Sequence, residues 1–196
     1  MKVLHRKLYT LVRYPHKVLF KYGRLICSNL FGLITPLYGE DYNLHWNYTS
    51  FKDKVVLDLG ADYGSTAQFF LQLNARKVIA VESNGEYFRK LRKNFGKNAQ
   101  VVCIPKHISS PKHLESLIRL FEPDIVKVDI EGAEEHLHGV NKDAIESIKE
   151  WLIETHSHKL SESITGLLSK LNYNVQKVYE INPSRGVIVL YAKRGS

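Results

Sequence analysis

The chain has 196 residues, 44% apolar, 24% charged and 11% aromatic, with 12 Gly and 6 Pro. These proportions exclude a disordered or collagen-like chain, the length excludes two full domains, and a domain of this size can be held by its core without a metal or disulfide staple. The net charge of +8 is unevenly spread, because Lys2, Arg6, Lys7, Arg13, Lys17, Lys21 and Arg24 all precede the first acid, Glu40, while the rest of the chain carries 21 basic against 20 acidic residues.

The excess charge marks residues 1–37 as an amino-terminal arm, separate from a domain over 38–196. Leu4, Leu8, Leu11 and Val12 recur at helical spacing before Pro15, and Val18, Tyr22, Leu25 or Ile26, and Leu30 form a second such pattern. Both patterns have basic opposite faces. Such an arm suits a polyanion, either RNA or an anionic membrane surface, or it packs on the body with its charges in water. The longest uncharged run, Leu25 to Gly39, has 15 residues. That is short of the ~20 apolar residues of a bilayer span, so no transmembrane segment is expected. The long basic stretch before it argues against a secretory signal. Two cysteines, Cys27 and Cys103, form no disulfide framework or CxxC pair, which favours a reducing, cytoplasmic setting.

Residues 38–51 form a polar, aromatic-rich connector without periodicity, holding Tyr38, Tyr42, Trp46, Tyr48 and Phe51, and they read as a lid or rim. Strand and helix patterns then alternate. Strands are expected over 55–59, 77–81, 100–104, 125–130 and 151–154, and helices over 65–74, 86–94, 113–121 and 161–171, with helical pieces at 133–137 and 142–148. Residues 175–181 and 187–192 flank INPSRG, a turn sequence, and read as a closing hairpin. Alternation followed by a hairpin predicts a doubly wound, mostly parallel α/β sheet of seven strands with one antiparallel strand.

The first chemistry-bearing motif is VVLDLGADYGSTAQFF, Val55 to Phe70. A strand ending in an acid and turning through Gly60 and Gly64 into a helix places backbone N–H groups at the carboxyl edge of the sheet, where such folds bind ligands. Asp58 can accept a hydrogen bond from a ligand ammonium. Asp62 stands where a dinucleotide fingerprint has its middle glycine, and its side chain and charge would crowd and repel a pyrophosphate. The site therefore suits a nucleoside-type ligand without phosphates. Glu82 closes the second strand 22 residues after Gly60, where a carboxylate can take both hydroxyls of a ribose.

Together with KVIAVESNGEYFRKLRKNF and DIVKVDIEGAEEHL, this motif resembles the S-adenosylmethionine-dependent methyltransferases of the FkbM type. That family shows a GANxG-like first motif, an acid closing the second strand and a K-x-D-x-E-G-x-E motif on the fourth. Here these are Gly60 to Gly64, Glu82, and Lys127, Asp129, Glu131, Gly132 and Glu134. The similarity covers roughly residues 52–192. It departs at Asp62, where Asn is usual, and at Ser83, where Pro is common. The resemblance implies a Rossmann-like class I methyltransferase fold and S-adenosyl-L-methionine as cofactor. Asp58, Gly60, Asp62 and Gly64 would cradle its methionine part, Glu82 its ribose, and Lys106, His107 and Ile108 would border its adenine, with Ala61, Ser65 and Ser83 completing the set.

Asp129 would face the transferred methyl, and Asp129, Glu131 or a histidine such as His156 could take the proton of a hydroxyl acceptor. The wider group, with Glu134, Glu135, His136, His138 and His158, offers potential metal ligands. His136 and His138 point in different directions on a helix, whereas His156 and His158 follow the fifth strand at the ligand edge. Helix-capping acids and solvated histidines account for this pattern, so no metal is assigned. The expected activity is O-methylation of a small-molecule or sugar-type hydroxyl. The alternatives are an RNA methyltransferase that grips phosphate through its arm, and a cofactor-binding interaction module without catalysis. No N-P-P-Y motif follows the fourth strand, which counts against base N-methylation.

Overall fold

The structure, a computed structural model, describes residues 42–195. They belong to one compact unit, Asp41–Ser196. The basic arm expected over 1–37, and Tyr38 of the connector, lie outside the described residues.

Seven strands form one sheet: β1 (Val55–Leu59), β2 (Lys77–Glu82), β3 (Val101–Pro105), β4 (Ile125–Val128), β5 (Glu150–Thr155), β6 (Tyr173–Asn182) and β7 (Val187–Arg194), in the order β3-β2-β1-β4-β5-β7-β6. The first five run parallel, and β7 pairs antiparallel with both β5 and β6. The central strands are continuous apolar runs because helices cover both faces of the sheet. Those helices are α2 (Ser65–Gln72), α3 (Gly85–Phe95), α4 (Pro111–Phe121), α5 (Lys142–Glu146) and α6 (His158–Lys170). A short helix α1 (Tyr42–Trp46) precedes them, and a 3-10 segment (Ala133–Gly139) follows β4.

Side chains alternate across the sheet and build two cores. Val55, Leu57 and Leu59 join Val126, Val128, Trp151 and Ile153 on one face. Val56 joins Ile125, Leu152, Trp46, Phe70 and Leu91 on the other. Strand order reverses between β1 and β4, so the crevice at their carboxyl ends is the place where such sheets bind ligands.

The predicted elements correspond to the observed ones with three informative differences. First, β4 stops at Val128, not at 130: Asp129 N–H still donates to Leu59 O at 3.1 Å, but the chain then turns through Glu131 (φ 52) and Gly132 (φ 95). Second, α6 begins three residues before the expected start, where the Ser157 side chain caps it by accepting from Leu160 N at 3.2 Å. Third, the described part of the connector, 42–51, carries core residues. Trp46 and Phe51 are each only 1% exposed, and the Phe51 ring lies 4.8 Å from that of Phe70. Aromatic area of this size enters the core even from a segment with no periodicity.

Candidate functional site

Parallel register sets Asp58 of β1 directly beside Lys127 of β4, on the same face of the sheet. Both are fully buried. Lys127 Nζ lies 3.2 Å from Asp58 Oδ1 and 3.4 Å from Asp129 Oδ2. It also donates to Leu59 O at 3.2 Å and Gly60 O at 2.8 Å, and it sits 5.3 Å over the Trp46 ring. Burial alone pushes this ammonium down, but the Asp58 and Asp129 carboxylates outweigh it and hold Lys127 well above the ordinary lysine range. The other Asp58 oxygen accepts from Thr66 Oγ1 at 2.6 Å. Lys127 thus ties the end of β1, the Gly60 turn and Asp129 to one point.

The turn after β1 needs its two glycines for different reasons. Gly60 has φ +78, and a Cβ there would fall 1.8 Å from the Asp129 carbonyl oxygen, so β4 presses directly on the turn. Gly64 has φ +93, and a Cβ would enter the Phe95 ring at 2.4 Å, so this glycine seats α3. From outside, Asn94 Nδ2 donates to Tyr63 O at 2.9 Å, and Lys90 Nζ lies 4.6 Å over the Tyr63 ring.

Glu82 ends β2 beside this turn and is 7% exposed. Its Oε2 accepts from Asp62 N–H at 2.8 Å and its Oε1 from Asn84 N–H at 2.6 Å. Each oxygen keeps a second lone pair for a ligand hydroxyl. Asp62 itself has φ 52. The segment after β3 adjoins the same edge through Lys106 N–H, which donates to Glu82 O at 3.2 Å. There Ile108 is buried and His107 exposed, while Ser83 is exposed on the β2 side. Ala61 is buried, and Ser65, also buried, accepts from Tyr42 OH at 3.0 Å.

Across the crevice, β4 and β5 bring a second group together. His156 Nδ1 lies 3.1 Å from Glu134 Oε1, and its Nε2 lies 3.5 Å from Glu154, 3.9 Å from Glu131 and 4.0 Å from Asp129. The Glu134 hydrogen bond, opposed by burial and helped by the charges of Glu134, Glu154 and Asp129, pushes His156 up to about 9. The surrounding carboxylates thus favour the protonated imidazole. Glu131 is largely exposed at the rim. His138 pairs instead with Ser163 at 2.8 Å and His158 with Pro183 O at 3.1 Å, so neither joins this group.

The structure thus joins Asp58, Gly60 and Asp129 through Lys127, ties Asp62 to Glu82 through its N–H, and gathers Asp129 and Glu131 around His156. Sequence reasoning missed Glu154 as a neighbour of the site, and it gave Lys127 no role beyond its place in a motif. A lysine inside the apolar strand IVKV was the available signal, since a buried parallel strand carries a charge only with a partner.

No family model matches the chain. Among solved structures, precorrin-6y C5,15-methyltransferase from Geobacter metallireducens has a TM-score of 0.55 at 20% identity, covering 74% of this chain and 81% of that one. Fibrillarin from Aeropyrum pernix, solved with natively bound S-adenosyl-L-methionine, has a TM-score of 0.56 at 16% identity, covering 86% of this chain and 74% of that one. A protein of the NADB-Rossmann superfamily from Streptococcus agalactiae reaches 0.59 at 17% identity, over 82% and 71% of the two chains. At these identities the likeness is one of architecture: the chain has the Rossmann-like, seven-stranded fold that class I methyltransferases share.

Proposed function

We propose that the protein is an S-adenosylmethionine-dependent methyltransferase of the FkbM type, acting on a hydroxyl of a small-molecule or sugar-type acceptor. The observation that carries this reading is the meeting of the Gly60 turn, the Glu82 carboxylate and Asp129 at the topological switch point of a methyltransferase fold. When bound, the cofactor supplies an electrophilic methyl on a sulfonium, and the electron pair of the broken bond stays on sulfur.

The residues fit that group. Gly60, Ala61, Asp62, Gly64 and Ser65 hold its amino-acid end, with Asp58 fixing the turn from within through Lys127 and Thr66, while Glu82 and Ser83 hold its ribose and His107 and Ile108 border its adenine. The backbone amides that hold Glu82 from within leave its outer lone pairs for the two ribose hydroxyls. Asp129 takes the proton of the acceptor hydroxyl, while His156, already protonated, donates to the acceptor and Glu131 meets it at the rim. Most of the rate comes from aligning nucleophile and methyl in line and excluding water.

Incubation with methyl-labelled cofactor and fractions of sugars, lipids and RNA tests the reading. Label should appear in a hydroxyl-bearing small molecule or sugar, and Asp129→Asn should lower transfer by ~100-fold or more with the thermal midpoint largely kept. Absence of transfer to every fraction would make the chain a binding module. The seven cations ahead of Glu40 favour one second reading, an RNA methyltransferase whose arm grips phosphate. Label in transfer RNA, suppressed by salt, would replace the first reading with that one.

A further inference from the structure

Asp129, Glu154 and His156 each offer one ligand atom, and these atoms lie within 4.8 Å of one another at the carboxyl ends of β4 and β5. Ligands about 2.1 Å from a metal stand roughly 3–4 Å apart, so modest rotamer adjustment closes the set around an ion. Behind it stands Glu134, whose side chain has no solvent exposure. Its Oε1 faces His156 Nδ1 at 3.1 Å and also accepts from Ile130 N–H at 3.1 Å, while its Oε2 is buried without a hydrogen-bond partner. A buried carboxylate behind an imidazole fixes which ring nitrogen faces outward and strengthens it as a ligand, the arrangement usual for metal-bound histidine. Solvation of a rim histidine does not explain a glutamate sealed in the interior and aimed at it.

We propose that Asp129, Glu154 and His156 form a divalent-cation site of the manganese, iron(II) or zinc class, with Glu134 as the positioning residue for the imidazole. Two carboxylates and one nitrogen suit those ions better than calcium or magnesium, which take oxygen ligands. The three protein ligands leave positions open toward the crevice. The functional consequence rests on the methyltransferase reading: an acceptor hydroxyl bound to the cation loses its proton to water, and its oxygen forms the new bond to the methyl as the methyl–sulfur bond breaks. Binding displaces the outward ring proton of His156, and Asp129 then holds the cation, which takes over its task of lowering the barrier to deprotonation.

The test is a titration of the full chain with Mn2+, reading free ion by electron paramagnetic resonance, with melting curves to verify folding. One ion should bind per chain, and both Glu154→Gln and His156→Gln should weaken it by at least about tenfold, as loss of a ligand does. Glu86→Gln, a surface change on α3, should leave binding unchanged. Two separate variants let one report if the other fails to fold. No saturable binding, or equal binding by the folded ligand variants, would overturn the site. Calorimetry of the unsubstituted chain with S-adenosylmethionine is an independent readout. Cofactor binding without manganese binding refutes the metal site alone, and manganese binding without cofactor binding refutes the methyltransferase reading alone.

Discussion

A lysine ammonium with no solvent exposure persists only where carboxylates and carbonyls replace its water, and Lys127 has two of each. Its removal strands Asp58, buried beside it, as an uncompensated charge. Lys127→Met should therefore cost roughly 3–5 kcal/mol in urea unfolding, and the double variant with Asp58→Leu should recover part of that loss. An effect under about 1 kcal/mol would show that the network is dispensable to the fold. His156 carries the second residue-scale prediction. In chelator-treated protein its imidazole should titrate near 9 by NMR, and Glu134→Gln should move it down. A histidine raised in the folded state adds stability that is complete below its unfolded value of about 6.5 and is lost as pH rises through the folded value. With the side chain 24% exposed, the loss should be about 1–2 kcal/mol. A titration near 6.5 would remove the carboxylate cage from the account.

Between elements, glycines set how closely α3 and β4 approach the turn after β1. Gly64→Ala faces both a left-handed backbone and the Phe95 ring, so it should destabilise by ~2 kcal/mol or more and weaken cofactor binding by displacing α3. A neutral Gly64→Ala would mean that α3 is free to shift. Glycine, acid and strand spacing made this part of the site legible in the sequence, because Gly60, Asp58 and Glu82 act through local turn chemistry. The Asp58–Lys127 pair depends on the register between β1 and β4, which are distant in the chain, and no local pattern encodes that. The burial of Trp46 was not legible for the same reason: it joins the core that holds Phe51 and Phe70 from a segment without periodicity. Glu154 sits in EWLIET as an ordinary strand residue until β4 supplies Asp129 beside it.

At the scale of the whole molecule, the doubly wound order with a final β6–β7 hairpin follows from strand and helix alternation, so it was readable before any contact was known. The unit Asp41–Ser196 contains both cores and all the site residues. A chain starting at Asp41 should accordingly melt cooperatively and keep its cofactor affinity while losing any salt-sensitive RNA binding that the arm confers. Aggregation of that shorter chain would make the arm part of the fold. The central claim, a nucleoside-type methyl-donor site at the β1–β4 crevice, is tested most directly by calorimetry of the intact protein with S-adenosylmethionine, its demethylated product and NAD. The account predicts binding of the first two but not of NAD, with Glu82→Ala weakening both by ~1.5–3 kcal/mol. Tight NAD binding, or undiminished S-adenosylmethionine binding by Glu82→Ala, would contradict it.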